Sequence, residues 1–424
     1  MGGGCIFPRG KKVKAVVFTL GCKVNECESD SLMKGLSERG YEVSDKLEYA
    51  DIYIVNTCAV THEAEKKSRQ TASRIKKLNP HAKIIFTGCA AQKNPQAFLL
   101  KSEGTLVTGV FGKNKILEHL DECGIDITPQ DRVYEELSPV KTLRARAFIK
   151  VQDGCDNFCS YCIIPYLRGR SRSRSPESVV KEILELSPAE AVINGINLTS
   201  YNYEGTTLTG LIDALSAVDC RIRLGSLEVN VIDDEFLSAT KRLKNFAPHF
   251  HLSLQAGSDE TLKKMNRKYT VAEFEEKVAL IKKYYPDAGI TTDIIAGFPT
   301  ETEENFAETL ALADRVGFTD IHAFAFSPRS GTVAYKMKDL PPEVKKARTE
   351  KLLAKKAEAK AAFAARSVGK TYDFLAEEVK DGKTLGYSGN YLRLYVDGEV
   401  PLGKIVKVAV EKPFKDGALA SVKK

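Results

Sequence analysis

Between residues 14 and 112, short and nearly continuous apolar runs alternate with stretches in which apolar residues recur at three- and four-residue intervals. Residues 15–20, 52–56 and 83–87 are runs of the first kind, the pattern of strands covered on both faces. Residues 28–39 and 64–78 are of the second kind and predict amphipathic helices, so the unit reads as α/β with a parallel sheet. Each strand runs into a cysteine, in Leu20-Gly21-Cys22, Asn56-Thr57-Cys58 and Thr87-Gly88-Cys89.

After a polar linker at 128–138, a second alternation begins with the strand 147–151 and continues to about Tyr335. Residues 191–193, 221–224, 251–254, 292–296 and 321–326 predict strands, and 176–186, 270–284 and 303–316 predict helices. A succession of βα units of this size fits a partial or full (β/α) barrel. Residues 341–366, rich in alanine and lysine, predict a long basic helix, read as a solvated connector. From 370 to 422 the period drops to two, with turns at Asp381-Gly382, Ser388-Gly389-Asn390 and Asp397-Gly398, which predicts a small all-β barrel. Three domains are expected, at 12–127, 140–366 and 367–424.

The 424 residues are 43% hydrophobic and 28% charged, with a formal net charge of +7. No apolar run approaches the roughly 20 residues that cross a membrane, and the first residues lack the apolar stretch of a secretory signal, so a cytoplasmic protein without a membrane partner is expected. The positive balance favours a polyanionic partner such as nucleic acid. Ten cysteines without an export signal are metal or redox ligands rather than disulfides.

Ligands of open α/β sheets sit at the carboxyl ends of the strands, so Cys22, Cys58 and Cys89 can converge on one object there. Three buried structural cysteines are the competing reading. Gly21 and Gly88 weigh against it, since glycine lets the backbone turn tightly beside a bulky ligand. The stronger signal is Cys155-Asp156-Asn157-Phe158-Cys159-Ser160-Tyr161-Cys162, just after the first strand of the expected barrel. Three thiolates this close can hold three irons of a cubane cluster and leave the fourth open. A zinc knuckle or ferredoxin-type site needs a fourth ligand nearby, and Ile163-Ile164-Pro165-Tyr166 supplies none. Cys5, Cys27, Cys123 and Cys220 fall outside both triplets and are not assigned.

This spacing, with an aromatic residue before the third cysteine, resembles the radical S-adenosylmethionine superfamily, and within it the chain looks like a methylthiotransferase over nearly its whole length. The resemblance rests on Gly21-Cys22-Lys23-Val24-Asn25, Glu28-Ser29, the segments 56–61 and 87–90, Ile164-Pro165-Tyr166 with Arg168-Gly169-Arg170, and the segments 253–258, 265–270, 293–301 and 326–332. The terminal segment is similar to a TRAM domain, a small RNA-binding barrel. Lys23-Val24-Asn25, Ala59-Val60-Thr61 and the segment 168–173 look most like the group acting on threonylcarbamoyladenosine in tRNA. Sister groups act on isopentenyladenosine in tRNA or on an aspartate of a ribosomal protein.

The resemblance implies two 4Fe-4S clusters, one on Cys155, Cys159 and Cys162 and an auxiliary one on Cys22, Cys58 and Cys89. It also implies S-adenosylmethionine in two uses, as methyl donor to a sulfur on the auxiliary cluster and as radical source, with an external electron donor. Tyr161 would lie beside the adenine. Asn194 and Gly195 sit where the superfamily has a turn near the cofactor's amino group. Ser226, Glu228, Ser253, Gln255 and Arg267, at or after later strand ends, are further candidate contacts, or else satisfy loop backbone. Arg168, Arg170, Arg172 and Arg174 are candidates to hold tRNA phosphates, the alternative being a loop with local carboxylate partners. Tyr387, Tyr391 and Tyr395 of the terminal barrel offer base stacking or belong to its core. Nothing in the sequence demands more than a monomer. An RNA-binding iron–sulfur redox protein, which would not consume S-adenosylmethionine, is the non-enzymatic alternative.

Overall fold

The computed structural model describes residues 13–99, 104–137 and 145–423; Cys5 and the end of the 128–138 linker lie outside them. The first sheet is parallel throughout, in the spatial order Glu42–Ser44, Lys14–Thr19, Ile52–Thr57, Lys83–Gly88, Leu106–Thr108, Gly124–Asp126. Ala15, Val17, Ile52, Ile54 and Ile85 pack with Leu32 and Leu36 on one face. Val16, Tyr53, Val55, Ile84 and Phe86 pack with Ala72 and Ile75 on the other. Burial on both faces is what makes these runs continuous rather than alternating. The two predicted helices run Lys23–Glu38 and His62–Leu78. The first begins earlier than its apolar periodicity indicates, because its opening turn is buried by polar residues, Asn25, Glu28 and Ser29 among them.

The central region is a partial barrel. Arg146–Lys150, Glu190–Asn194 and Arg221–Leu224 form one parallel set, and Ser226–Leu227, His249–Gln255, Gly289–Ala296 and Asp320–Ala325 another. A bridge between Ile222 and Phe246 lies at the seam. Among the described residues no pairing closes the last strand onto the first. Phe250, Leu252 and Leu254 pack with Phe274, Val278, Phe306 and Leu312 of the covering helices, so the alternate residues His249, His251, Ser253 and Gln255 take the opposite, inner face.

The helix Pro342–Ser367 lies along the last strand. Its Lys345, Lys346, Arg348, Lys355, Lys356 and Lys360 each have a carboxylate partner, in keeping with a connector. The terminal strands Thr371–Lys380, Lys383–Ser388, Arg393–Asp397, Gly417–Val422 and Ile405–Phe414 close into a barrel of the TRAM type. This barrel docks at the amino-terminal ends of the central strands. Arg221 donates to the Asp373 carbonyl at 3.0 Å, and Arg223 donates to those of Ser388 and Gly389. The tyrosines considered for base stacking are engaged internally: Tyr395 is buried, and Tyr391 stacks on His249 at 4.4 Å and on Tyr387 at 4.5 Å. No helix among the described residues is long and apolar enough to cross a membrane.

Candidate active site

Cys22, Cys58 and Cys89 lie at the carboxyl ends of three adjacent strands, as the sequence pattern indicates. The Asn25 side chain locks two of those ends together, donating to the Leu20 carbonyl at 2.8 Å and the Thr57 carbonyl at 3.1 Å. Gly88 has φ +91°, and a Cβ there would lie 2.5 Å from Asn56 Oδ1 and 2.6 Å from the Thr57 carbonyl oxygen. No other residue fits that turn. The Val60 amide approaches Cys58 Sγ at 3.5 Å. Burial pushes the Cys58 thiol up to about 12, with the neighbouring Cys89 and Cys22 adding to it. The group therefore keeps its proton until a metal displaces it.

The second triplet follows a short antiparallel pair between Gln152–Asp153 and Arg172–Ser173. Gly154, at φ +73°, turns the chain so close to its return strand that a Cβ would lie 2.0 Å from the Arg170 carbonyl. The Cys155 amide donates to the Gly169 carbonyl at 3.1 Å, and the Ser160 amide to that of Met265 at 3.0 Å. The Asn266 side chain holds the carbonyls of Asn157 and Phe158. Burial likewise pushes the Cys162 thiol up to about 12.

Of the candidate cofactor contacts, Glu228 and Arg267 are drawn to this loop. Arg267 donates to Cys159 Sγ at 3.4 Å and to the Ser253 carbonyl at 3.0 Å, and it pairs with Glu228 at 2.7 Å. Glu228 in turn accepts from the Asn157 side chain at 2.7 Å. Asn197 approaches Cys155 Sγ at 3.8 Å. Gly195 rests against Gln152, and a Cβ there would lie 2.8 Å from its Oε1. Tyr161 packs against the central core. Asn194 donates to the Val192 carbonyl of its own strand, Ser226 is exposed, and Gln255 takes a left-handed backbone with φ +71°. Among the described residues, no hydrogen bond joins the side chains of Asn194, Ser226 or Gln255 to the triplet.

The arginine run is corrected by the structure. Arg168 is 0% exposed: it donates to Glu28, Asp153 and Asn25, and at 3.3 Å to Cys89 Sγ. Arg172 is buried against Asp153, and Arg174 against Glu182 and Glu136. The arrangement is the local carboxylate alternative, since a buried guanidinium needs a paired anion and cannot also reach RNA. Arg170 alone of the four is solvent-facing, paired with Asp156.

Arg168 therefore joins the two triplets. It touches a ligand candidate of one and, through Asp153 and Gly169, fixes the loop that carries the other. Lys113 and Lys150 complete the knot on Glu28. Burial alone would raise the Glu28 carboxyl, but Arg168, Lys113 and Lys150 hold it well below the usual range. Sequence reasoning missed Lys113, Lys150 and Asp153. Lys150 and Asp153 flank a strand end immediately before Cys155, which was the available signal. It also missed His251, Asp293 and His322 on three neighbouring strands, where Asp293 accepts from both imidazoles at 3.1–3.2 Å; residues so far apart in sequence carry no local signal.

Among the described residues neither cysteine triplet gathers its sulfurs within 4.8 Å of one another. A single tetrahedral zinc would need them about 3.8 Å apart. Two sets of three thiols, each on a rigid rim and each approached by an arginine, suit iron–sulfur clusters with an open iron.

In comparison with known proteins, the two cysteine triplets fall in two separately matched stretches of the chain. Residues 14–112 match the uncharacterized protein family UPF0004, and residues 149–313 match the radical SAM superfamily. A threonylcarbamoyladenosine tRNA methylthiotransferase MtaB from Bacillus subtilis strain 168 is 36% identical, covering 95% of this chain and 96% of the relative. One from Thermotoga maritima is 38% identical, covering 95% of each. A tRNA-2-methylthio-N(6)-dimethylallyladenosine synthase from a Thermoanaerobacter species is 35% identical, covering 95% of this chain and 91% of the relative. Among solved structures the fold resembles the radical S-adenosylmethionine methyltransferase TsrM from Kitasatospora setae. That match has a TM-score of 0.52 and 15% identity, over 74% of this chain and 72% of the other. With relatives this similar along nearly their whole length, the chain belongs to the radical S-adenosylmethionine methylthiotransferase family.

Proposed function

We propose that the protein transfers a methylthio group to C2 of N6-threonylcarbamoyladenosine in tRNA. The observation that carries this reading is the pair of cysteine triplets at two parallel-sheet rims, tied together by the single buried side chain of Arg168. Cys155, Cys159 and Cys162 would hold one 4Fe-4S cluster with S-adenosylmethionine on its open iron, and Cys22, Cys58 and Cys89 the other. When bound, these groups supply reductive cleavage of a sulfonium carbon–sulfur bond, giving a radical able to take hydrogen from an unactivated C–H, and a sulfur to carry the methyl group.

The chain's own residues do the positioning. Arg267, oriented by Glu228, places a fixed positive charge and a donor at Cys159, and Arg168 does so at Cys89; hydrogen bonds to sulfur tune the potential of such clusters. Because Arg168 is held by Asn25 and Glu28 on one side and Asp153 on the other, the two rims keep a set separation. The C2–H of adenine is too weakly acidic for a positioned base. The target is a tRNA, an external reductant supplies electrons, and a monomer working in the cytoplasm satisfies these requirements.

The test is anaerobic cluster reconstitution, then incubation with S-adenosylmethionine, a reductant and tRNA carrying threonylcarbamoyladenosine, with the nucleosides weighed by mass spectrometry. A methylthio increment on that nucleoside is expected, lost in Cys89→Ala. An increment on isopentenyladenosine instead moves the substrate to the sister group. No consumption of S-adenosylmethionine with both clusters intact sinks the enzymatic reading.

A further inference from the structure

With three of the four loop arginines buried, the loop leaves only Arg170 facing solvent, and most of the cationic surface for an RNA backbone lies elsewhere. The helix His62–Leu78 carries six cations between Lys66 and Leu78 and no carboxylate in that span. Its buried face is Ser68, Thr71, Ala72 and Ile75. Lys66, Lys67, Gln70, Arg74 and Lys77 are exposed, and at 3.6 residues per turn they fall along one stripe.

Two observations separate this stripe from an ordinary solvated face. First, Lys66, Lys67, Arg74 and Lys77 have no carboxylate partner among the described residues, whereas on the equally basic helix Pro342–Ser367 six cations are neutralised in place. An unpaired row of cations keeps its field available to an incoming polyanion. Second, the helix starts at the mouth of the site. It follows Cys58 by four residues, its His62 amide donates to Ser327 Oγ at 3.0 Å, and Glu65 pairs with Arg329. Ser327 and Arg329 lie just past the carboxyl end of the last barrel strand. From that clamp the helix runs about 25 Å away from the cysteines, the course a stem must take if its loop nucleotide is held at the rim.

We infer that Lys66, Lys67, Arg74 and Lys77 form the track for the phosphates of the RNA stem that carries the target nucleotide. This rests on the proposed tRNA substrate. A phosphate track contributes salt-dependent affinity and register, without sequence specificity.

The test is binding of an anticodon stem-loop RNA to the reconstituted full-length protein across a series of salt concentrations. The probe is compared with the quadruple variant Lys66→Ala, Lys67→Ala, Arg74→Ala and Lys77→Ala. Loss of four phosphate contacts is expected to flatten the slope of log affinity against log salt by about 3, and to weaken binding by more than about tenfold at moderate salt. Lys346→Ala with Lys351→Ala on the connector helix should leave both unchanged. Should the quadruple variant melt early, Lys66→Ala and Lys77→Ala singly are each expected to flatten the slope by about 0.7–0.9. Wild-type affinity and slope in a properly folded quadruple variant overturn the track while leaving the substrate reading intact. Wild-type protein that binds no stem-loop at any salt overturns both.

Discussion

Arg168 shows how much one side chain decides in this protein. Its planar fork meets Glu28 and Asp153 while Nε points at Cys89, a geometry that an ammonium on a flexible stem does not reproduce. Removing it leaves Glu28 and Asp153 buried with fewer cations, and Arg168→Ala should cost about 3–5 kcal/mol. Arg168→Lys should recover part of that loss but not the contact with Cys89. The midpoint of urea unfolding, followed by backbone circular dichroism, measures this. An Ala variant within about 1 kcal/mol of wild type would show that the knot does not hold the two rims together. The residue stood in the sequence as one of four alternating arginines, and its sign of charge suggested RNA. Its actual partners come from a helix about 140 positions earlier and from the strand end before Cys155, and no local pattern announces such a meeting.

At the scale of elements the sequence was far more legible. Cys22, Cys58 and Cys89 were placed at the ends of Lys14–Thr19, Ile52–Thr57 and Lys83–Gly88 because strand ends follow from apolar runs, and parallel neighbours put those ends side by side. What lay beyond reach was the tight geometry inside the cluster loop, which depends on backbone approach rather than on periodicity. Gly154 reads in sequence as an ordinary loop glycine, yet it has a left-handed φ and no room for a Cβ against Arg170. Gly154→Ala should therefore displace Cys155 from its neighbours without touching the first triplet. After anaerobic reconstitution, iron bound per chain is expected to fall from about eight to about four, with near-normal melting. Retention of all the iron would mean that the loop can refold around the added methyl group. Tyr391 makes the same point in the terminal barrel. Its period-two pattern gave the fold class, and its left-handed φ of 70° belongs to the local turn in which its amide donates to the Ser388 carbonyl, but its stack on His249 arises only from docking.

Across the whole molecule, the central strands hold the cysteine loop at their carboxyl ends and the terminal barrel at their amino ends, and the second junction turns on Glu190. This carboxylate is fully buried and faces Arg146, Arg221 and Arg223. Those arginines reach onward to Glu377, Asp373, Ser388 and Gly389 of the terminal barrel. Burial alone would raise the Glu190 carboxyl, but Arg223, Arg221 and Arg146 hold it at about 2, against about 4.3 in the unfolded chain. A carboxyl depressed in this way contributes fully above pH 4.3, and the contribution is lost as the pH falls from there through 2. The whole effect is about 3 kcal/mol. Glu190→Gln should remove it at neutral pH as well, leaving three guanidiniums around a neutral amide. Hydrogen exchange at pH 7 should then quicken at residues 371–375 and 388–392, while residues 52–57 in the first sheet stay protected. The urea midpoint of the wild type should fall towards that of the variant below pH 4, where the difference between them closes. Unchanged protection at 371–375 in the variant would mean that the Tyr391 stack and the helix Pro342–Ser367 hold the barrel without the ionic cluster. Faster exchange there would make Glu190 the point through which the docking of the terminal barrel depends on the central strands.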